Sequence, residues 1–294
     1  MLKHNFATPQ PPARAVILGA GGFVGGATAG KLEALGIDVL ALTRQDIDLE
    51  TPNASDMLVD LLSPQDVLIF VSAKAPVKDV TMLTANMLML ENVCVALEQK
   101  PVAHVIYVSS DAVFSDSADP LTEDSCAQPD SLHGVMHLAR EVALRNTVKG
   151  PLGIIRPTLI YGENDPHNGY GPNRFRRLVA DGQDIVLFGE GEERRDHVLV
   201  DDVAELISLM VLHRSEGDLN AATGQVTSFR DIADMVVANT DRRIAIKGSP
   251  RVGPMPHDGY RPFDPRGTAD AFPDFSYTPL EEGLKKVQGV SSDD

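Results

Sequence analysis

Cysteine is scarce in this 294-residue chain, with Cys94 and Cys126 its two copies. They fall in different predicted elements, which argues against a disulfide framework and points to a reducing compartment. Positive charge is also short: 26 basic residues stand against 42 acidic ones, a net charge of −16. Such a field repels nucleic acid and anionic membranes at long range. A phosphorylated ligand must then be held by local arginines or backbone amides. No stretch approaches the ~20 apolar residues of a membrane span. The opening "MLKHNFATPQPPARA" has no apolar run of signal-peptide length. Its proline and polar content predicts a loose arm over residues 1–13. The expectation is a cytoplasmic protein with neither nucleic acid nor membrane as partner.

What the chain does have is a rhythm of short apolar runs: "AVILG" (15–19), "IDVLALT" (37–43), "DVLIFVS" (66–72), "AHVIYVSS" (103–110) and "PLGIIRP" (151–157). They are apolar throughout instead of alternating, as strands covered on both faces must be. Helical patterns, such as 80–99 and 132–147, lie between them. That order predicts an α/β chain with a doubly wound parallel sheet, a Rossmann domain over 14–157. Beyond residue 157 Gly- and Pro-rich loops separate shorter elements, which predicts a smaller substrate lobe over 158–294 with some return to the sheet.

"AVILGAGGFVGGATAGKLEALG" places Gly19, Gly22 and Gly25 between the first strand and a helix. The first glycine permits the tight turn and the second lets the backbone approach a pyrophosphate. The third lets helix and strand pack closely, while Phe23 and Val24 open the helix whose free amides face the anion. About 20 residues on, where an adenosine ribose is read, "ALTRQDIDL" offers Thr43, Arg44 and Asp48. An arginine there suits a 2′-phosphate, so the cofactor expectation is NADP or NAD with NADP favoured. Asp46 is the competing reader of a bare ribose diol.

With these motifs the chain resembles the extended short-chain dehydrogenases/reductases, the NAD(P)-dependent nucleotide-sugar epimerases, dehydratases and reductases. The glycine loop, "FVSAKAP" (70–76) with Ser72, Ala73 and Lys74, and Asn86 match the cofactor side. "VSSDAVF" (108–114) matches the strand ending in a catalytic Ser or Thr, here Ser110, and "IIRPTLIYG" (154–162), with Arg156 and Pro157, matches the segment beside the nicotinamide. "VSSDAVFSDSADPLTEDS" is most similar to the dTDP-4-dehydrorhamnose reductase branch, and Leu159 replaces the Asn common in epimerases. The similarity runs from about 14 to 287.

The resemblance also exposes a gap. The family's Tyr-x-x-x-Lys pair exchanges a proton with the substrate and holds the nicotinamide ribose, and it falls here on His133 and His137 in "PDSLHGVMHLARE". None of the five tyrosines lies between Tyr107 and Tyr161, and no lysine lies between Lys100 and Lys149, so no shift of register restores the pair. Three readings follow. His133 acts as the acid–base, since an imidazole titrates near neutral pH without an activating lysine, with His137 supporting the cofactor and Ser110 the reacting oxygen. Alternatively the pair marks a non-catalytic NAD(P)-binding regulatory or sensor subunit, as in the methionine adenosyltransferase β-subunit type. A metal is the third, but two ligands at i and i+4 are too few for a closed site.

The resemblance assigns a nucleotide diphosphate to Arg195, with Arg261 and Arg174 as further cations of the same substrate site, and has Asp111 shape the Ser110 turn. Lys74 is read as a solvated lysine or a substitute cation, Glu141 as a solvent-facing or helix-pairing carboxylate, and His197 as structural. The implied partners are a nucleotide sugar and a second copy of the chain. The copies would pair through helices 80–99 and 132–147, where Met82, Met87, Met89 and Met136 are candidate contacts or core.

Overall fold

Alternate residues of the apolar runs go to opposite faces of one sheet. In the strand Ala15–Leu18, Ala15 and Ile17 join a core with Leu32, Leu206, Ile207 and Met210. Val16 and Leu18 join a second core with Leu58, Leu90, Val93 and Leu144. Both faces are covered by helices, which is why the run carries no polar alternation.

The structure is a computed structural model and describes residues 2–289. Among the described residues the large sheet has seven strands in the order Lys3–His4, Ser215–Ala221, Leu152–Pro157, His104–Val108, Val67–Phe70, Ala15–Leu18 and Val39–Leu42. All neighbours run parallel except the first pair. The expected doubly wound sheet is present, and Ser215–Ala221 is the late segment that returns to it.

Helices Phe23–Ala34 and Val200–Leu212 cover one face; Ala54–Leu61, Val80–Gln99 and Leu132–Thr147 cover the other. A smaller body gathers Pro172–Ala180, Phe229–Ala238 and Leu280–Gln288 around Phe175, Leu187, Phe229 and Ile232. Short strands join it to the rest, with Arg194–Leu199 between Val226–Ser228 and Tyr260–Arg261.

Two expectations need correction here. The N-terminal arm is not loose: Lys3 and His4 pair antiparallel with Glu216 and Ser215. The His4 ring reaches the Ser215 hydroxyl and the Ala271 carbonyl, both at 2.8 Å. A buried strand edge needs hydrogen-bond partners, and the polar arm supplies them. Val80–Gln99 is, contrary to the sequence expectation, long and apolar enough to cross a membrane by length and composition. Its apolar residues are explained by packing, since Met89, Leu90, Val93, Ala96 and Leu97 are core. Met89 and Met136 are buried, so these two methionines fill space between helix and sheet rather than an outer contact.

Candidate active site

The first strand turns into its helix through Gly19 at φ +96°, a conformation L side chains rarely adopt. A Cβ on Gly25 would stand 2.2 Å from the Gly19 carbonyl oxygen, so only glycine lets the helix approach this closely. Gly22 caps Phe23–Ala34 without a side-chain hydrogen bond, and no acidic residue occupies the first turn. The free amides of that turn therefore face an opening with no competing carboxylate.

The opening is a cleft of about 1070 Å³ at the carboxyl edge of the sheet, and it runs from this turn to the histidine pair. Its wall includes Gly19, Gly22, Phe23 and Val24 at one end, Thr43, Arg44 and Asp48 beyond the second strand, and Ser72, Ala73 and Lys74 beyond the third. Ser110, Asp111, His133, His137, Pro157 and Arg195 line the other end. The glycine cradle, the unencumbered helix amides and the length of the cleft fit a dinucleotide.

Local structure sets the catalytic end. Ser131 caps the helix Leu132–Thr147 by accepting from the Gly134 amide at 3.1 Å. A Cβ on Gly134 would meet the Ala112 carbonyl at 2.0 Å, so this glycine lets the first helical turn lie on the short turn after Ser110. The serine hydroxyl accepts from the Ala112 amide at 3.2 Å and donates to Asp111 at 3.3 Å. Asp111 thus accepts from the serine that precedes it in the turn.

The two imidazoles stand edge to face with centroids 4.7 Å apart. His133 is half-buried, and burial pulls its pKa below the usual 6.5. Its Nδ1 is buried without a hydrogen-bond partner. His137 is nearly fully buried, with Nδ1 2.7 Å from the Tyr107 hydroxyl. Burial, with His133 and Arg140 nearby, takes its pKa well below 6.5. Both are neutral at pH 7. His197 also lines the cleft, buried with its Nδ1 3.2 Å from the Arg195 carbonyl, and burial drops its pKa to about 3. Among the described residues no group of three or more His, Cys, Asp or Glu side chains is arranged to hold a metal ion.

Several predicted binding residues serve the scaffold instead. Arg156 is buried and gives Nε and Nη2 to Glu141 at 2.8 and 2.6 Å, with Asp218 at 2.9 Å. Its charge is neutralised by these carboxylates, and it is not part of the cleft wall. Glu141 accordingly is not a surface carboxylate: it is 1% exposed and also accepts from Ser109 at 2.6 Å. Arg261 is likewise consumed, donating to Asp111 at 3.2 Å and to the Asp111 and Phe114 carbonyls at 2.8 and 3.2 Å, with Asp116 completing its shell. It is not part of the cleft wall. Arg174 is on the exposed side of Pro172–Ala180 and is not part of the cleft wall.

Asn86 and Gly25 act at one remove. The Asn86 amide holds the Lys74 backbone through bonds at 3.1 and 3.0 Å, so it fixes the Ser72–Lys74 wall without touching the cleft. Lys74 is not a free cation, because its Nζ pairs with Glu50 at 2.7 Å. Arg44 pairs with Asp48 at 3.1 Å and Glu50 at 3.3 Å, and Asp46 accepts from the Thr43 amide and hydroxyl. Arg195 keeps a place on the wall, with Glu193 at 3.4 Å.

Sequence reasoning missed Tyr107 and Arg140, which sit under the histidines, and Asp165, His167 and Tyr170 of the loop and Asn173 at the start of the helix after it, which line the cleft. The first two lie in an apolar strand and a helix, where nothing in the pattern separates them from packing. The others stand in "ENDPHNGYGPN", whose Gly and Pro content did signal a loop over the sheet edge.

Known proteins share this arrangement. A UDP-glucose 4-epimerase of Thermus thermophilus in complex with NAD superposes at a TM-score of 0.80, with 21% identity over 94% of this chain and 98% of its own. A GDP-L-fucose synthetase of Naegleria fowleri bound to NADP gives 0.81, with 17% identity over 97% and 95%. At these identities the likeness speaks for the fold. In sequence, a Methanocaldococcus jannaschii protein provisionally named a UDP-glucose 4-epimerase is 26% identical over 301 aligned positions, covering 92% of this chain and 96% of its own. The family model described as the NAD dependent epimerase/dehydratase family matches residues 15–222, from the strand Ala15–Leu18 to the end of Ser215–Ala221. By that match, which spans the glycine turn, the serine strand and the histidine helix alike, the chain belongs to the NAD dependent epimerase/dehydratase family.

Proposed function

We propose that the protein is an NAD(P)-dependent epimerase or keto-reductase of a nucleotide-linked sugar, with His133 carrying the proton. The observation that carries this reading is the continuous cleft that joins the glycine turn to Ser110 and the paired imidazoles. The relatives named above act on UDP- and GDP-sugars by their names, and one solved neighbour contains NAD and another NADP.

When bound, the nicotinamide supplies reversible hydride exchange at a sugar carbon. The chain's residues must move the matching proton. Ser110 hydrogen-bonds the reacting sugar oxygen. His133, neutral because burial lowers its pKa, accepts the proton of a hydroxyl as it becomes a carbonyl and returns it on reduction. His137 supports the cofactor. Arg195 offers a guanidinium for the nucleotide diphosphate, and burial of its surroundings leaves it 11% exposed.

On the adenosine side Arg44 supports NADP, although its pairing with Asp48 and Glu50 means that a 2′-phosphate must displace carboxylates. Val80 and Leu88, with Val135 and Val142, are exposed on the two adjacent helices Val80–Gln99 and Leu132–Thr147. That apolar surface supports pairing of two copies. The missing Tyr and Lys favour a second reading, a cofactor-binding subunit without turnover. Purified protein incubated with NAD or NADP and a panel of UDP-, GDP- and dTDP-sugars, analysed by product chromatography and 340-nm absorbance, separates the two. The reading expects conversion of at least one sugar; cofactor binding with no conversion across the panel makes the chain a binding subunit.

A further inference from the structure

Beneath the two imidazoles lies a buried cation to which the reaction assigns no task. Arg140 is 0% exposed in the helix Leu132–Thr147. Among the described residues no carboxylate pairs with it: its hydrogen bonds go to neutral oxygens, the Ser72 carbonyl at 2.7 Å and the Asn86 carbonyl and Oδ1 at 2.9 Å each, and its guanidinium lies 4.8 Å over the Phe70 ring. Burying a charge without a carboxylate is costly, so its position needs a reason. One neighbour is the phenol of Tyr107, itself 1% exposed, whose hydroxyl is 2.7 Å from His137 Nδ1.

The donor inventory fixes the direction of that bond. A guanidinium only donates, so Arg140 offers the phenol proton no acceptor, and its own Nε is buried without a hydrogen-bond partner. The phenol keeps its proton, since burial raises its pKa. Among the described residues the one side-chain or backbone acceptor within reach of that proton is His137 Nδ1. Were Nδ1 protonated instead, it would donate to the phenol oxygen and the buried hydroxyl hydrogen would be left without an acceptor. Nδ1 therefore accepts and Nε2 carries the hydrogen.

We propose that Tyr107, backed by the carboxylate-free cation Arg140, is a positioning residue that fixes His137 as its Nε2–H tautomer. The cleft then meets a neutral N–H donor at the place where the resembled family puts an ammonium. The Arg140 charge also opposes protonation of His137, so a proton gained at this end of the cleft resides on His133. The role of the N–H toward a bound ribose rests on the proposed function; the tautomer does not.

The test is long-range ¹H–¹⁵N NMR of the full chain with ¹⁵N-labelled histidine, the His137 ring being assigned by difference with His137→Gln. The expected parent spectrum shows the Nε2–H form between about pH 6 and pH 8. In folded Tyr107→Phe the ring shifts to a mixture or to Nδ1–H, and the dissociation constant for NAD or NADP rises by roughly tenfold, the scale of one hydrogen bond. An Nδ1–H ring in the parent overturns the proposal even if Tyr107→Phe does not fold, as does an unchanged ring in a folded variant. A fixed Nε2–H ring in a protein that converts no sugar leaves this inference standing and removes the catalytic one; conversion with an Nδ1–H ring does the reverse.

Discussion

The two ends of the cleft solve their problems with different materials. At the glycine turn the ligand would meet backbone: Gly19, Gly22 and Gly25 remove side chains, and helix amides supply the charge complement. At the histidine end it would meet side chains whose protonation is set by what lies behind them, a phenol and a guanidinium that no carboxylate neutralises among the described residues. Backbone recognition depends on the absence of Cβ atoms and changes little with pH. Side-chain chemistry depends on burial, and here burial holds the imidazoles neutral.

The largest effect that sharpens this contrast is acid sensitivity. His104, deep under the sheet, has its pKa lowered by burial to about 4, and that of His197 falls to about 3. The unfolded value is ~6.5. Below pH 6.5 the unfolded chain binds protons that the folded one refuses, so stability is fully present above pH 6.5. It is lost as pH falls toward 4 for His104 and 3 for His197, at about 1.4 kcal/mol per pH unit for each ring. Urea unfolding at pH 7.5, 6 and 5 (chosen to span about half the window) should show a steeper loss in the parent than in His104→Gln. Parallel slopes would mean that His104 titrates normally in the fold.

A smaller effect tests the other end. Gly25→Ala brings a methyl against the Gly19 carbonyl, backbone against which no side chain can yield. The expected cost is ~1–3 kcal/mol of stability, with the turn opened and cofactor affinity lowered at least about tenfold. Thermal shift with and without NAD or NADP reads both. Unchanged cofactor stabilisation would remove the glycine turn from the binding site.

How much of this was legible follows the same division. The strands could be read because burial on both faces leaves uninterrupted apolar runs such as Val67–Phe70, and the glycine turn could be read because its physics leaves a mark at fixed spacing. The pairing of cations could not. Arg156, Arg261 and Arg195 are equivalent as letters, yet Glu141 and Asp218 neutralise the first, Asp111 and Asp116 the second, and only the third lines the cleft. Each of those carboxylates comes from a distant part of the chain or from a different element, so no local pattern announces the pair. Tyr107 was hidden for the opposite reason, being a strand residue whose hydroxyl matters only because the helix Leu132–Thr147 sets His137 above it.

The imidazole of residue 133 is the proposed proton carrier in an otherwise intact cleft. His133→Ala, mixed in a single turnover with a sugar nucleotide that the parent converts, tests this directly, with cofactor affinity measured in parallel. The predicted result is a cofactor dissociation constant within about threefold of the parent and hydride transfer slowed by roughly 10²–10⁴-fold. Hydride transfer at the parent's rate would contradict it.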